Sequence, residues 1–142
     1  MQKMKHRVLL VEDNPADANL VEEALEEANL DCELLVMRNG QQVIEMIESL
    51  ESGAAQEMPD LVLLDLNLPK VTGHVVLERV RSSPRFREAR VFVISSSDAP
   101  ADRERAIKMG AIGYFRKPSS LADFMAIGPR LRAILEDPGS SA

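Results

Sequence analysis

Four short apolar runs in this 142-residue chain each stop at a polar or charged residue. Arg7-Val8-Leu9-Leu10-Val11 stops at Glu12-Asp13, and Leu61-Val62-Leu63-Leu64 stops at Asp65. Val91-Phe92-Val93-Ile94 stops at Ser95-Ser96-Ser97, and Ile112-Gly113-Tyr114-Phe115-Arg116 stops at Lys117-Pro118. Runs this short, rich in β-branched residues and apolar on both alternating sets of positions, read as strands buried on both faces of a parallel sheet.

Between the runs the periodicity becomes helical. Strands are predicted at 7–12, 32–37, 60–65, 91–95 and 112–116, with helices at 15–29, 41–50, 74–82 and 100–109. Asn14 suits an N-cap, Pro15 the first helical position and Gly110 a C-terminal stop. Leu20, Val21, Ala24, Leu25 and Ala28 form the apolar stripe of the first helix, with Glu22, Glu23, Glu26 and Glu27 on its wet side. The third helix has Val75, Val76, Leu77 and Val80 as its apolar positions. Ser52 to Pro59 reads as a loop, and Asn67 to Gly73 as a turn-rich connection. A last helix starts near Ser119-Ser120, and Gly128-Pro129 inside it predicts a kink or a split.

Five strand-then-helix repeats require a parallel sheet with helices on both faces. The predicted class is α/β, a flavodoxin-like (βα)5 doubly wound sheet in the order 2-1-3-4-5. The expected organisation is one domain over 1–136 and a disordered tail over 137–142.

Composition narrows the functions. Net charge is −6, which disfavours direct contact with nucleic acid. No apolar stretch is long enough to insert in a membrane, and the basic start Met1 to Arg7 lacks a signal peptide's apolar segment, so the expected location is cytoplasmic. The one cysteine, Cys32, fits an inert thiol in a partly buried strand. His6 and His74 lack ligand spacing and read as surface histidines.

In open α/β sheets, ligands bind outside the carboxyl ends of the strands. The predicted strand order sets Asp13 and Asp65 side by side. Glu12, Asp13, Asp65, Ser95 and Lys117 then share one pocket. Crowded carboxylates repel one another unless a cation sits among them, and oxygen ligands suit magnesium. The chemistry indicated is phosphoryl transfer or phosphate binding at a metal-assisted carboxylate. Taken singly, each residue has a plainer role. Glu12-Asp13 can end a strand and cap a helix, Asp65 can belong to a turn, the serines to a polar loop, Lys117 to solvent, and Tyr114 to the core. Four coincidences at four strand ends of one sheet are needed to keep all of those.

Val11-Glu12-Asp13-Asn14, Leu64-Asp65-Leu66-Asn67-Leu68-Pro69 with Gly73, Ser95-Ser96 and Gly113 to Pro118 together resemble the signature of receiver domains of two-component response regulators. The resemblance runs from Arg7 to Leu135. It implies that Asp65 is the phosphoryl acceptor and that Glu12, Asp13, Asp65 and the Asn67 carbonyl hold Mg2+, which Mn2+ or Ca2+ could replace in vitro. It implies that Lys117 and Ser95 contact phosphoryl oxygens and that Ser95 and Tyr114 switch, Tyr114 rotating inward. Asn67 and Ser97 fall where phosphoryl lifetime is tuned. Lys117-Pro118 matches a bond that is cis in the family. The implied partners are a histidine kinase and a downstream protein or phosphorelay protein, with the chain a monomer or a homodimer. The only catalysis implied is of its own phosphorylation and dephosphorylation.

Three features depart from the commonest receiver pattern: a long connection from Leu50 to Pro59, serine rather than threonine at 95, and the Gly128-Pro129 interruption. The long connection with Leu66-Asn67-Leu68-Pro69-Lys70 is similar to small stand-alone regulators paired with phytochrome-type kinases. Other functions stay open on the residues. A Mg2+-dependent phosphatase of the haloacid dehalogenase type would use Asp65, but its general acid would fall at Asn67, which cannot serve as one. A phosphorylation-independent scaffold needs a broken site, and every expected group is present. A flavin carrier would meet the acidic turn Glu12-Asp13-Asn14-Pro15, which repels phosphate.

Overall fold

A computed structural model describes residues 6–53 and 58–137. Residues 138–142 of the tail predicted at 137–142, residues 1–5 of the basic start and residues 54–57 of the 52–59 loop lie outside the described residues. Among the described residues the elements are β1 (His6–Val11), α1 (Pro15–Glu27), β2 (Cys32–Met37), α2 (Gly40–Glu51), β3 (Leu61–Asp65) and α3 (Gly73–Ser82). They continue as β4 (Val91–Ser95), α4 (Pro100–Lys108), β5 (Gly113–Arg116), α5 (Leu121–Phe124) and α6 (Ile127–Leu135). The sheet is parallel throughout and ordered β2-β1-β3-β4-β5, as the strand-and-helix alternation predicts.

Alternation along each strand divides the core in two. Leu9, Val11, Val62, Leu64, Val91, Val93 and Tyr114 face one layer, with Val43 and Ile47 of α2, Val76, Leu77 and Val80 of α3, and Ala106 of α4. Val8, Leu10, Leu61, Leu63, Phe92, Ile94 and Phe115 face the other, with Val21, Ala24 and Leu25 of α1, Phe124 of α5, and Ile127 and Leu131 of α6. β3 and β4 are buried along their whole length because both sets of alternating positions are covered, whereas the edge strand β2 leaves Leu35 and Val36 exposed.

Local chemistry sets the helix ends. Asn14 Oδ1 accepts from the N–H groups of Ala16 (2.9 Å) and Asp17 (3.3 Å), fixing the first turn of α1. Asn29 (φ 57°) and Gly110 (φ 94°) take the left-handed position after α1 and α4. Arginines from other elements satisfy further terminal carbonyls. Arg81 donates to Met109 (3.2 Å) and Gly110 (2.7 Å) at the end of α4. Arg85 donates to Leu50, Arg90 to Ile134 and Arg132 to Ala28. Each adds positive charge where the helix dipole is negative.

Three sequence expectations need correction. The last helix breaks at Met125-Ala126, not at Gly128-Pro129, which lie in the first turn of α6. Proline is tolerated there because first-turn N–H groups have no intrahelical partner in any case. Gly128 is fixed by packing, since a Cβ there would collide with the Ala24 carbonyl oxygen. His74 is not a surface residue: it is 9% exposed, while Val75 is 44% exposed. His74 stands three residues before Leu77, on the inner face of α3, and Val75 is turned outward. The Lys117–Pro118 bond is trans, as are all peptide bonds of the described residues. The trans form is the lower-energy one before proline, though by only about 0.5–1 kcal/mol.

Candidate functional site

Sheet register assembles the site. Val11 pairs with Leu64, so the residues that follow, Glu12 and Asp65, leave β1 and β3 side by side. Asp65 pairs with Ile94 and Ser95 with Arg116, which brings Ser95 and Lys117 to the same rim. The Lys117 N–H donates to the Ser95 carbonyl at 2.7 Å and ties the ends of β4 and β5 together. Gly73 lets α3 begin against the end of β3, since a Cβ there would collide with the Asp65 carbonyl oxygen.

Carboxylate oxygens of Glu12, Asp13 and Asp65 lie within 4.8 Å of one another. Opposite ligands of a Mg2+ ion with bonds of about 2.1 Å stand about 4.2 Å apart, so the three side chains fit one hard cation without rebuilding the backbone. Glu12 and Asp65 are buried and Asp13 is exposed, which leaves one side of the cluster open to a ligand. Asn67, also exposed, donates its N–H to Asp65 Oδ1 (3.0 Å) and its amide Nδ2 to Ser96 Oγ (3.2 Å).

Lys117 joins the carboxylates. Its Nζ donates to Glu12 Oε1 (2.8 Å), Asp17 Oδ2 (2.8 Å) and Asp65 Oδ2 (3.2 Å). Burial alone would pull the ammonium down, but its hydrogen bonds to Asp17 and Glu12, with the charges of Asp65 and Glu12, hold it above the usual lysine range. Burial has the opposite consequence for Glu12. It pushes that carboxyl up to about 7, with the Asp65 charge adding to the rise and the Lys117 hydrogen bond limiting it.

Asp17 is the member that the strand-end pattern did not reveal. It sits in the first turn of α1, three residues after the N-cap Asn14, where an acidic residue also suits the helix dipole.

Ser95 is fully buried. Its Oγ accepts from the Ser97 N–H at 3.0 Å. Tyr114 is already inward, 7% exposed, with its hydroxyl donating to the Ser97 carbonyl at 3.0 Å. All the residues read from the four strand ends thus lie on one rim of the sheet. The assembly offers a buried carboxylate nucleophile, an acidic cradle for a cation and one positive charge for an incoming anion.

Comparison with known proteins gives the same picture. Residues 8–127 match the family described as response regulator receiver domain. The chain is 37% identical over 116 residues to the probable methanogenesis regulatory protein FilR2 of Methanothrix harundinacea, covering 82% of this chain and 74% of that one. It is 33% identical over 116 residues to the response regulator Rcp1 of Synechocystis, covering 82% and 79%. The phosphorylated cyanobacterial phytochrome response regulator RcpA superposes with a TM-score of 0.83 at 29% identity, covering 96% of this chain and 98% of that one. The Mn2+-bound form of Rcp1 superposes at 0.81, with 28% identity, covering 95% and 97%. No helix among the described residues is long and apolar enough to cross a membrane.

Proposed function

The chain belongs to the response regulator receiver domains, and from that premise we propose that it accepts a phosphoryl group from a histidine kinase onto Asp65 and in doing so switches a partner-binding surface. The observation that carries this reading is the convergence on Asp65. An acceptor carboxylate 3% exposed is held against Lys117 and stands within one cation's reach of Glu12 and Asp13.

Glu12, Asp13 and Asp65, with the Asn67 carbonyl, would hold Mg2+. When bound, the ion neutralises charge between the Asp65 carboxylate and the incoming phosphoryl oxygens. The remaining work belongs to the side chains. A carboxylate oxygen of Asp65 forms a new P–O bond while the P–N bond of the kinase's phosphohistidine breaks, and its electron pair returns to the imidazole nitrogen. Lys117 carries its positive charge beside Asp65 and steadies a phosphoryl oxygen as charge develops there. The aspartyl phosphate adds roughly −2 charge at the rim. Ser95 Oγ turns toward that charge, and the loop through Ser97, with the Tyr114 hydroxyl bonded to it, follows. Catalysis is confined to the chain's own phosphorylation and dephosphorylation.

The likeness to RcpA and Rcp1 supports a phytochrome-type histidine kinase as the partner and protein contact or phosphorelay as the output. The acidic balance of −6 speaks against nucleic acid as a direct target. The test is the intact mass after incubation with acetyl phosphate. One phosphoryl adduct is expected, requiring Mg2+ and lost in Asp65→Asn. Labelling that persists in Asp65→Asn, or none at all where a known receiver is labelled, overturns the proposal.

A further inference from the structure

Outside the acidic rim, His74 is a buried polar residue of α3. Both of its ring nitrogens are buried without a hydrogen bond. Such an imidazole is held in an unfavourable place unless a nearby group can compensate it. That group is Asp102 on α4, whose Oδ1 lies 3.6 Å from His74 Nε2. The other oxygen, Asp102 Oδ2, accepts from Ser97 Oγ at 2.6 Å. Ser97 is in turn the residue whose N–H is bonded to Ser95 Oγ and whose carbonyl is bonded to the Tyr114 hydroxyl. A path of neighbouring groups therefore runs from the first turn of α3, through the first turn of α4, to both switch residues.

A proton on His74 turns the 3.6 Å approach into a charge-assisted pair. Asp102 is ready as the counter-charge: the Ser97 hydroxyl, and secondarily His74 itself, hold its carboxyl below the usual range. Asp102 is the charged group that faces the ring. Arg105 of α4 acts on Asp102, and Glu78 stands one turn further along α3.

We propose that His74, Asp102 and Ser97 form a latch between α3 and α4 that closes when His74 is protonated, holds Tyr114 inward, and makes this switch sensitive to protons. The proposal rests on the receiver reading for what the switch does, and on the local geometry for the latch itself. The plainer alternative is that Ser97 and Asp102 only cap α4: Ser97 Oγ also accepts from the Ala99 N–H at 3.1 Å. A cap of that kind needs nothing from His74.

The chain holds one tyrosine and no tryptophan, so its intrinsic emission reports on Tyr114 alone. Acrylamide quenching of the full chain is measured at about pH 5.5 and about pH 8, either side of the ordinary histidine pKa. The latch predicts that the inward-to-outward ratio of Tyr114 is higher at the acid pH by about fivefold or more, the usual lower range for coupled sites. The response should vanish in His74→Gln, which keeps His6 as an internal control, and in Asp102→Asn. An equal pH response in the parent and His74→Gln, or none in the parent, overturns the latch. Intact-mass labelling of the same samples separates the two readings. A His74-dependent response without any Asp65 adduct overturns the receiver reading alone, whereas an adduct without a His74-dependent response overturns the latch alone.

Discussion

Replacing Lys117 by methionine removes the ammonium that donates to Glu12, Asp17 and Asp65 while keeping the length of its apolar stem. The Lys117 and Asp65 side chains are 12% and 4% exposed, and Glu12 is 1% exposed, so solvent compensates little of what is lost. Breaking a buried ion pair by deleting one partner costs about 3–5 kcal/mol. Here Glu12, already pushed up to about 7, takes up a proton near neutral pH and relieves part of the uncompensated charge. The expected loss in metal-free buffer is therefore about 2–4 kcal/mol, or roughly 6–12 °C in Tm for a chain of this size. Magnesium should act in the opposite sense. The ammonium no longer competes for Glu12 and Asp65, so Mg2+ binds the variant more tightly. An ion at about 100 times its Kd adds about 2.7 kcal/mol, so the Tm gain on adding a fixed Mg2+ concentration should be larger in Lys117→Met than in the parent. Thermal unfolding near neutral pH, in EDTA and then with Mg2+, reads both effects. A variant that melts within about 2 °C of the parent in EDTA, or that gains no more from Mg2+ than the parent does, would refute the claim that Lys117 is the counter-charge of the cluster.

Three further outcomes follow from the geometry. Glu12 has a folded-state pKa of about 7 against an ordinary 4.5, so the stability its protonated form contributes is full below about 4.5 and lost as pH rises through about 7. Metal-free Tm should fall across that window while the Tm gain from Mg2+ grows; Glu12→Gln should flatten both curves, and a gain from Mg2+ that is independent of pH would contradict the assignment. Gly128→Ala drives a Cβ into the Ala24 carbonyl and should destabilise the fold by about 1–3 kcal/mol in urea unfolding, through separation of α6 from α1. Arg81→Ala leaves the carbonyls of Arg87, Ala89, Met109 and Gly110 without their guanidinium donor and should cost about 2–3 kcal/mol, with amide exchange rising first at the end of α4.

The strand ends were legible because a parallel sheet buries both faces, so each strand is apolar until it reaches the rim, and the first charged residue marks the rim. Glu12, Asp65, Ser95 and Lys117 were found in that way. Asp17 was hidden because an acidic residue in the first turn of a helix already has an ordinary explanation. His74 was hidden because polar residues are assigned to the outside by default, whereas here it holds an inner position of α3 that Val75 does not. The break in the last helix was expected at Gly128-Pro129 on propensity alone. Packing of Gly128 on Ala24 instead places that pair inside a first turn, where proline costs little. The arginine caps could not be read, since Arg85 and Arg90 reach carbonyls 35 and 44 residues away in sequence.

Asp65 as phosphoryl acceptor is tested most directly by trapping. The chain is incubated with Mg2+ and acetyl phosphate, and the acyl phosphate is reduced with borohydride, which converts a phosphorylated aspartate to homoserine. Peptide mass mapping then identifies the altered residue. Homoserine at position 65, and none in the Mg2+-free sample, is the predicted result; conversion at Glu12, Asp13 or Asp17, or an unaltered Asp65 in a labelled chain, would contradict it.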